Sequence, residues 1–401
     1  MAVPCLGAIR RHYPRLALAV AARSHLAPLF EMVDAVDEVV RLEPAGRPGG
    51  WLAAWRDARR LRAARFDVAI LLPNSFRAAW IARRAGIAER WGYAADLRTR
   101  MLTRAVPRLR GGHQVQYYQR LLDGLGILTE SEVRGPKSDV GADTGRPDLP
   151  SVRIDVPGDA RDWASAMLAS RGRKAGDHLV GMAPGAAYGS AKQWPPDRFA
   201  QLAIELAQTG VTTVLVGSAG DRVVCDEIAR LVGEKVRGSE GQDSDSGLRT
   251  PDGSEAPSTS DTGHRTPDTG LCLNLAGATD LRQLAAVMAQ CRSFVSNDSG
   301  AMHLAAAVGV PVVAIFGPTN EHETSPLPIA VKTDGDEFQN VAGIEIRPGL
   351  TSRLISRSHA IVAADVWCRP CMLRECPFDH GCMTRIDVAR VKAEVMKLLH
   401  D

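Results

Sequence analysis

The stretch 293–320 carries the strongest chemical signal in the chain, because an apolar run leads directly into the letters NDSG and then into a helical pattern. A helix N-terminus presents free N–H groups and a partial positive charge, so this turn can hold a phosphate. Gly300 lets a ligand approach the backbone closely. We predict that Asp298, Ser299, Gly300 and His303 bind a ligand. Helix capping by Asp298 or Ser299, and a half-buried structural His303, stay as alternatives.

A second stretch, 182–195, reads MAPGAAYGSAKQWP. A predicted strand ends at Ala183 and gives way to a loop of small residues that carries Lys192, ahead of the next helix. A cation on such a loop, at the carboxyl end of a parallel strand, can neutralise a diphosphate leaving group. The alternative is an ordinary exposed lysine.

Four cysteines fall within the short stretch 368–382. Thiolates at this spacing can bind zinc or an iron–sulfur cluster, and His380 offers a further ligand. Zinc sites more often contain two close pairs, so a cluster of buried thiols or a structural loop stays open as the alternative. The four residues are Cys368, Cys371, Cys376 and Cys382.

The elements that must position these residues alternate between strand-length apolar runs and segments of helical period. Buried strands that alternate with helices indicate parallel sheets covered on both faces. The pattern predicts an α/β fold with two Rossmann-like domains that face a cleft. The predicted strands are 16–22, 36–42, 66–72, 179–183, 211–217, 293–296 and 310–316, and the predicted helices are 51–64, 76–85, 197–208, 221–232, 280–290 and 300–308.

We predict an amino-terminal domain over 1–150, with a linker at 137–150, and a carboxyl-terminal domain over 151–385, followed by a terminal helix at 386–401. Residues 237–270 contain almost nothing apolar. Such a segment cannot bury enough surface to offset its ordering entropy, so we predict a disordered insertion there.

Composition narrows the class of protein. A formal net charge of only +3 over 401 residues argues against a nucleic-acid binder. No apolar run reaches the roughly 20 residues of a membrane-spanning helix, and 8 cysteines in so long a chain do not suggest a disulfide scaffold. We expect a cytoplasmic protein. Arginine-rich segments at 10–23 and 56–110 can favour an anionic partner or a membrane surface, or form solvated helix faces.

These stretches, with LLPNSFRAAW at 71–80 and GYAADLRTRMLTRAVP at 92–107, resemble glycosyltransferase family 9. Its lipopolysaccharide heptosyltransferases transfer heptose from ADP-heptose to the inner core, and the heptosyltransferase II branch is the most similar. The resemblance implies a GT-B fold and an inverting reaction without a catalytic metal or a cofactor. It also implies a lipid A–core acceptor in the amino-terminal domain. The enzyme would be cytoplasmic, with peripheral association at the inner membrane.

Carried over by the resemblance, Lys192 is the phosphate-contacting lysine and Asp298 the donor-contacting aspartate. Ser299, Gly300 and His303 surround the diphosphate, and Asp221 lies near the ribose-binding acid. The basic segment 77–110 is expected to line the acceptor cleft.

The chain departs from the family pattern at its start. Family members open with a strand and a Gly-Asp loop whose aspartate is the expected general base, whereas MAVPCL at 1–6 already matches the following helix. We therefore expect the first strand and the base to lie upstream of Met1, and we assign no catalytic residue. Two alternatives stay open: an epimerase-like sugar-nucleotide enzyme of the same fold, and a non-catalytic nucleotide-sugar-binding protein.

Overall fold

The computed structural model describes most of the chain. The described ranges are 1–43, 50–108, 111–128, 154–174, 176–187, 189–240, 271–327, 355–356 and 359–400. The predicted linker at 137–150 lies outside them, as do residues 241–270 of the predicted insertion.

The amino-terminal half alternates strands and helices, as the sequence predicts. Its described elements are α1 (Val3–His12), β1 (Ala19–Arg23), α2 (Ala27–Phe30), β2 (Glu38–Leu42), α3 (Gly50–Ala63), β3 (Val68–Leu71), α4 (Phe76–Ala85), β4 (Glu89–Ala94), β5 (Arg104–Pro107) and α5 (Gln114–Gly124).

The carboxyl-terminal half has the same alternation. Its described elements are α6 (Gly158–Ser170), β6 (His178–Ala183), α7 (Pro196–Ala207), β7 (Val211–Leu215), α8 (Arg222–Glu240), β8 (Cys272–Asn274), α9 (Leu281–Met288), β9 (Ser293–Asn297), α10 (Gly300–Ala307), β10 (Val312–Phe316), α11 (Glu321–Thr324), β11 (Ile355–Ser356), β12 (His359–Ala363), α12 (Gly381–Thr384) and α13 (Val388–His400).

The strands of the amino-terminal half form two small parallel sheets, β1–β2 and β3–β4–β5. The helices of this half cover strands of both sheets. On one face, Cys5 and Ile9 of α1 pack in a cluster with Leu18 and Ile70. On the other face, α3 and α4 pack against residues of β2 and β3. Among the described residues, the outer edges of β1 and β3 have no strand partner.

The carboxyl-terminal half contains one seven-stranded sheet in the order β11-β12-β10-β9-β6-β7-β8, parallel except for β11. Successive strands β6, β7 and β8 run outward in one direction, and β9, β10 and β12 run outward in the other. The strand order therefore reverses between β6 and β9, which pair through Val180 and Ser293. Ligands in open α/β sheets bind at the carboxyl ends of strands at such a switch point.

Helix α4 begins and ends at the predicted residues, and each strand listed in the sequence analysis is present within a few residues of its predicted bounds. One prediction needs correction: helix α8 continues to Glu240, so residues 237–240 of the predicted insertion are helical. The predicted terminal helix is present as α13, and its Val391 and Val395 are buried in a core cluster of the carboxyl-terminal half.

Candidate active site

The switch point brings together the two stretches that were predicted to bind a ligand, 182–195 and 293–320. The loop that follows β6 carries Lys192 in a short 3-10 turn, and the turn that follows β9 carries Asp298. Because β6 and β9 are neighbours in the sheet, their carboxyl ends open at the same place. Sequence reasoning predicted each stretch separately, and the strand order explains why they meet.

Lys192 and Asp298 form a largely buried ion pair. Lys192 Nζ donates to Asp298 Oδ2 at 2.6 Å, and the two side chains are 13% and 6% exposed. Thr319 Oγ1 donates to the same oxygen at 2.7 Å. The ammonium group is therefore held at the mouth of the site in a fixed position. The carboxylate is engaged by side chains that surround the site, which removes the helix-cap alternative for Asp298.

Asn297, the last residue of β9, ties the Lys192 loop to the sheet. Its Oδ1 accepts from Trp194 N–H at 3.1 Å and its Nδ2 donates to Pro184 O at 2.7 Å. The side chain is fully buried. Both ends of the loop are thus fastened to one amide, and the sequence analysis did not identify this positioning role. An asparagine that ends a buried strand was the available signal.

The N-terminus of α10 lacks a side-chain cap. Ser299 stands at the cap position without bonding the helix, and its Oγ lies 3.1 Å from Ser296 Oγ. Beside Gly300, the space where a Cβ would stand is open to 4 Å. The first turn of α10 therefore offers backbone N–H groups to an anion, as the NDSG pattern predicts.

His303 lies in the first turn of α10 and is half-buried. Burial lowers the pKa of its imidazole to about 3, and the nearby charge of Lys192 acts in the same direction. The ring is therefore neutral at physiological pH. A neutral imidazole can donate one hydrogen bond and accept another, which suits contacts with hydroxyl groups.

Asp221 reaches the same edge of the sheet from the end of β7. Its Oδ2 accepts from Ser218 N and Ser218 Oγ at 2.8 and 2.7 Å, which forms a local capping box before α8. A Cβ built on Gly185 would lie 2.1 Å from Asp221 Oδ1, so this carboxylate presses against the loop that leads to Lys192. The structure gives Asp221 a structural role and also a position beside the candidate site.

The cysteine-containing loop packs against the site from behind. Arg369 Nε donates to Gly317 O at 2.6 Å, and Arg369 Nη2 pairs with Glu321 at 2.8 Å. Ala191 N–H donates to Arg374 O at 3.1 Å. The loop therefore braces both the turn before Lys192 and the segment that carries Thr319, a role that sequence reasoning did not identify.

The four cysteines of this loop line one pocket, together with His380. Burial raises the pKa of the Cys382 thiol to about 11, and the neighbouring thiols add to the shift. His380 Nε2 lies 2.7 Å from Ala191 O, which engages that ring nitrogen. Within the ranges that the structure describes, no three His, Cys, Asp or Glu side chains are arranged to hold a metal ion.

The corresponding loop of the amino-terminal half follows β3. Arg98 is fully buried behind it, and its guanidinium donates to Tyr93 O at 3.0 Å and also to Pro73 O. Asn74 accepts from Arg98 Nη2 at 3.3 Å and donates to Tyr117 Oη at 2.7 Å. Arg98 therefore fixes this loop and is not exposed, and that segment 77–110 lines a basic acceptor cleft stays a prediction for its other arginines.

Direct contacts join the two halves. The His113 ring caps α5 through Nδ1, which accepts from Val115 N–H, and its Nε2 lies 3.0 Å from Ser325 O in the other half. Asp155 N–H of the carboxyl-terminal half donates to Met32 O of the amino-terminal half at 3.2 Å. No helix among the described residues is both long and apolar enough to cross a bilayer.

Known structures share this architecture. Escherichia coli ADP-heptose lipopolysaccharide heptosyltransferase II aligns with a TM-score of 0.68 and 23% identity, over 100% of this chain and 94% of that one. The E. coli heptosyltransferase WaaC, solved with ADP, aligns with a TM-score of 0.58 and 14% identity over 99% and 95% of the two chains. These likenesses confirm the predicted α/β fold of the GT-B type.

Sequence relatives point the same way. The chain is 29% identical over 321 residues to a lipooligosaccharide heptosyltransferase 2 of Haemophilus ducreyi, which covers 80% of each protein. It is 29% identical over 323 residues to the lipopolysaccharide heptosyltransferase 2 of E. coli, over 80% of this chain and 79% of the relative. The model of glycosyltransferase family 9 (heptosyltransferase) matches residues 54–238 and 255–340. With more than half of its length covered by that model, the chain belongs to glycosyltransferase family 9, the heptosyltransferases.

Proposed function

We propose that this protein transfers heptose from ADP-heptose to the inner core of lipopolysaccharide. The observation that carries the proposal is the Lys192–Asp298 pair at the switch point of the carboxyl-terminal sheet, beside the uncapped start of α10. A lysine and free backbone N–H groups that converge on one place form a site for a diphosphate. The relatives named heptosyltransferase 2 support heptose as the transferred sugar.

In the proposed reaction, an acceptor hydroxyl attacks the anomeric carbon of the heptose while the bond to the ADP phosphate breaks. Negative charge develops on the departing diphosphate. Lys192 and the N-terminus of α10 stabilise that charge, and preorganised groups of this kind are worth about 10²–10³ in rate. Asp298 keeps Lys192 in place before the donor binds, and its carboxylate can accept hydrogen bonds from hydroxyl groups of the sugar.

Attack by the hydroxyl also requires a group that takes its proton. We assign no residue to that role. The lipid A–core acceptor would bind at the amino-terminal side, near the loop held by Asn74.

The test is donor binding by calorimetry with ADP-heptose, together with a transfer assay on an inner-core acceptor followed by mass spectrometry. Lys192→Ala should weaken donor turnover by about 10²-fold. Lys174→Ala is the matched control, because Lys174 is exposed and precedes the amino end of β6, whereas Lys192 follows its carboxyl end. Equal kinetics for both variants would overturn the site assignment.

Two other outcomes identify the alternatives. Donor binding without transfer would favour a nucleotide-sugar-binding protein. Isomerisation of the sugar nucleotide in the absence of an acceptor would favour the epimerase-like enzyme.

A further inference from the structure

Helices α3 and α4 expose an unusual concentration of large apolar side chains. Trp51, Leu52, Trp55 and Phe76 are 57%, 64%, 43% and 39% exposed. They lie on the outward side of the pair, since the opposite side of α3 buries Ala54, Ala58 and Leu61. The packing of the core therefore does not account for them.

A third tryptophan organises this surface. The Trp80 ring of α4 makes edge contacts with Trp51 and Trp55 of α3, at centroid distances of 5.1 and 5.8 Å. The chain contains only 7 tryptophans, and three of them meet here. The rings support one another, so the two outer tryptophans are held at the surface in defined positions.

Positive charge surrounds these rings. Helix α3 contains four arginines and α4 contains three, against the single acid Asp57. The Arg84 guanidinium stacks over the Trp55 ring at 3.9 Å, and Arg59 and Arg83 are exposed. We define the aromatic–basic face as Trp51, Leu52, Trp55, Phe76, Arg59, Arg83 and Arg84.

The position of this face in the fold is also informative. Strand β3 ends at Leu71 and α4 begins at Phe76, with Asn74 in the loop between them. The aromatic residues lie in the first turns of α3 and α4, and the basic residues Arg59, Arg83 and Arg84 follow towards the helix ends. The aromatic end of the face therefore borders the strand-end loops where the acceptor is proposed to bind.

We propose that the aromatic–basic face docks on a bilayer surface that contains anionic lipid headgroups. Tryptophan and phenylalanine side chains favour the boundary between headgroups and acyl chains. Clustered arginines are attracted to anionic lipids within a Debye length of the surface. Charge complementarity thus selects a membrane as the occupant of this face. The proposal deepens the proposed function, because it brings the acceptor loop to a lipid-linked acceptor.

The experiment is sedimentation of the full-length chain with vesicles of phosphatidylglycerol and phosphatidylethanolamine, or of phosphatidylcholine alone, without donor or acceptor. We expect binding to the anionic vesicles only. Trp51→Ala with Trp55→Ala should weaken it by about tenfold or more. Arg59→Gln with Arg83→Gln should do the same through charge alone, without touching the aromatic packing. Trp367→Ala is the matched control, because Trp367 is 85% exposed on the other half of the protein.

Equal vesicle binding by the wild type and both double variants would overturn the proposal. Binding to phosphatidylcholine that matches binding to anionic vesicles would also overturn it. Concentration-dependent dimerisation that the tryptophan variants abolish, without vesicle binding, would assign the face to a second copy instead. Transfer of heptose to a lipid-free core oligosaccharide should be unchanged in the tryptophan double variant, so a failure of docking is distinguishable from a failure of the proposed reaction.

Discussion

The two halves of the molecule hold the loops at the carboxyl ends of their strands by different interactions. In the carboxyl-terminal half, β7, β9, β10 and β12 are buried along their whole length and form one continuous sheet. In the amino-terminal half, β1, β2 and β3 are only partly covered and belong to two separate sheets. Sheet pairing positions the loops of the carboxyl-terminal half, whereas helix packing and side-chain hydrogen bonds position those of the amino-terminal half.

In each half an asparagine side chain holds a loop that follows a strand, and the two asparagines differ in the same way as the two sheets. Asn297 is fully buried and bonds two backbone groups. Asn74 is half-buried and bonds the side chains of Arg98 and Tyr117. The position of the Lys192 loop therefore depends on backbone groups of the sheet, and that of the Asn74 loop depends on two long side chains.

The largest expected effect tests this contrast directly. Asn297→Ala leaves Trp194 N–H and Pro184 O unpaired in the core, at about 1–3 kcal/mol for each group. Asn74→Ala should cost about 1 kcal/mol, because Asn74 is half-buried and Arg98 keeps its hydrogen bonds to Tyr93 O and Pro73 O. Denaturant unfolding of both variants measures the difference. Equal losses of stability would show that the two loops are held alike.

A pair of valines compares the sheets. Val295→Ala in β9 removes a fully buried side chain and should cost about 2 kcal/mol of unfolding free energy. Val39→Ala in β2 removes a half-buried one and should cost about 1 kcal/mol or less. A loss at Val39 as large as that at Val295 would mean that β2 is more enclosed than this structure indicates.

Acidification should weaken the carboxyl-terminal half through His359. Burial lowers the pKa of this imidazole to about 4, from an ordinary value of 6.5. Its Nδ1 accepts a hydrogen bond from Val312 N–H at 3.1 Å, and its Nε2 lies 2.6 Å from Leu327 O. A second proton on the ring would have to sit on Nδ1, where it would displace the hydrogen bond from Val312. Between those pH values the unfolded chain binds a proton that the folded chain excludes, and stability falls as pH decreases through the window.

Melting temperatures at pH 7 and about pH 5 measure the effect. His359→Gln should flatten the decline, whereas His25→Gln in the exposed part of the amino-terminal half should leave it unchanged. An unchanged slope in His359→Gln would assign the acid sensitivity to other groups.

The smallest effect is expected from removal of residues 241–270. Their composition lacks the apolar residues that a core requires, and replacing a long connection by a short one changes closure entropy little. A chain with a short Gly-Ser linker between Glu240 and Leu271 should keep its donor affinity and its stability within about 1 kcal/mol. A larger loss would show that the segment contributes to the carboxyl-terminal half.

Much of the fold could be predicted because buried strands and amphipathic helices have clear periods. Helix α4 matches its predicted bounds, whereas β4 and β5 escaped prediction because Glu89–Ala94 and Arg104–Pro107 mix charged and small residues. Lys192 and Asp298 were predicted as site residues, but their pairing was not. That contact depends on the order of strands in the sheet, which local patterns do not reveal.

The positioning residues were harder to predict for the same reason. Asn297 and Arg98 act through backbone atoms far away in sequence, and a single sequence does not indicate those partners. Arg98 lies in the basic segment 77–110 that was expected to line the acceptor cleft. Its burial shows that local charge density does not indicate which arginines reach solvent.

The adjacency of β6 and β9 also has a consequence for synthesis on the ribosome. Strand β6, which contains Val180, cannot pair with β9 until Ser293 has been synthesised. Contacts between residues so distant in sequence form slowly. The helices and strands of the amino-terminal half leave the ribosome long before that moment. A nascent chain would therefore present the aromatic–basic face of α3 and α4 while its carboxyl-terminal sheet was still unfolded, so the proposed attachment to a bilayer would precede assembly of the candidate site.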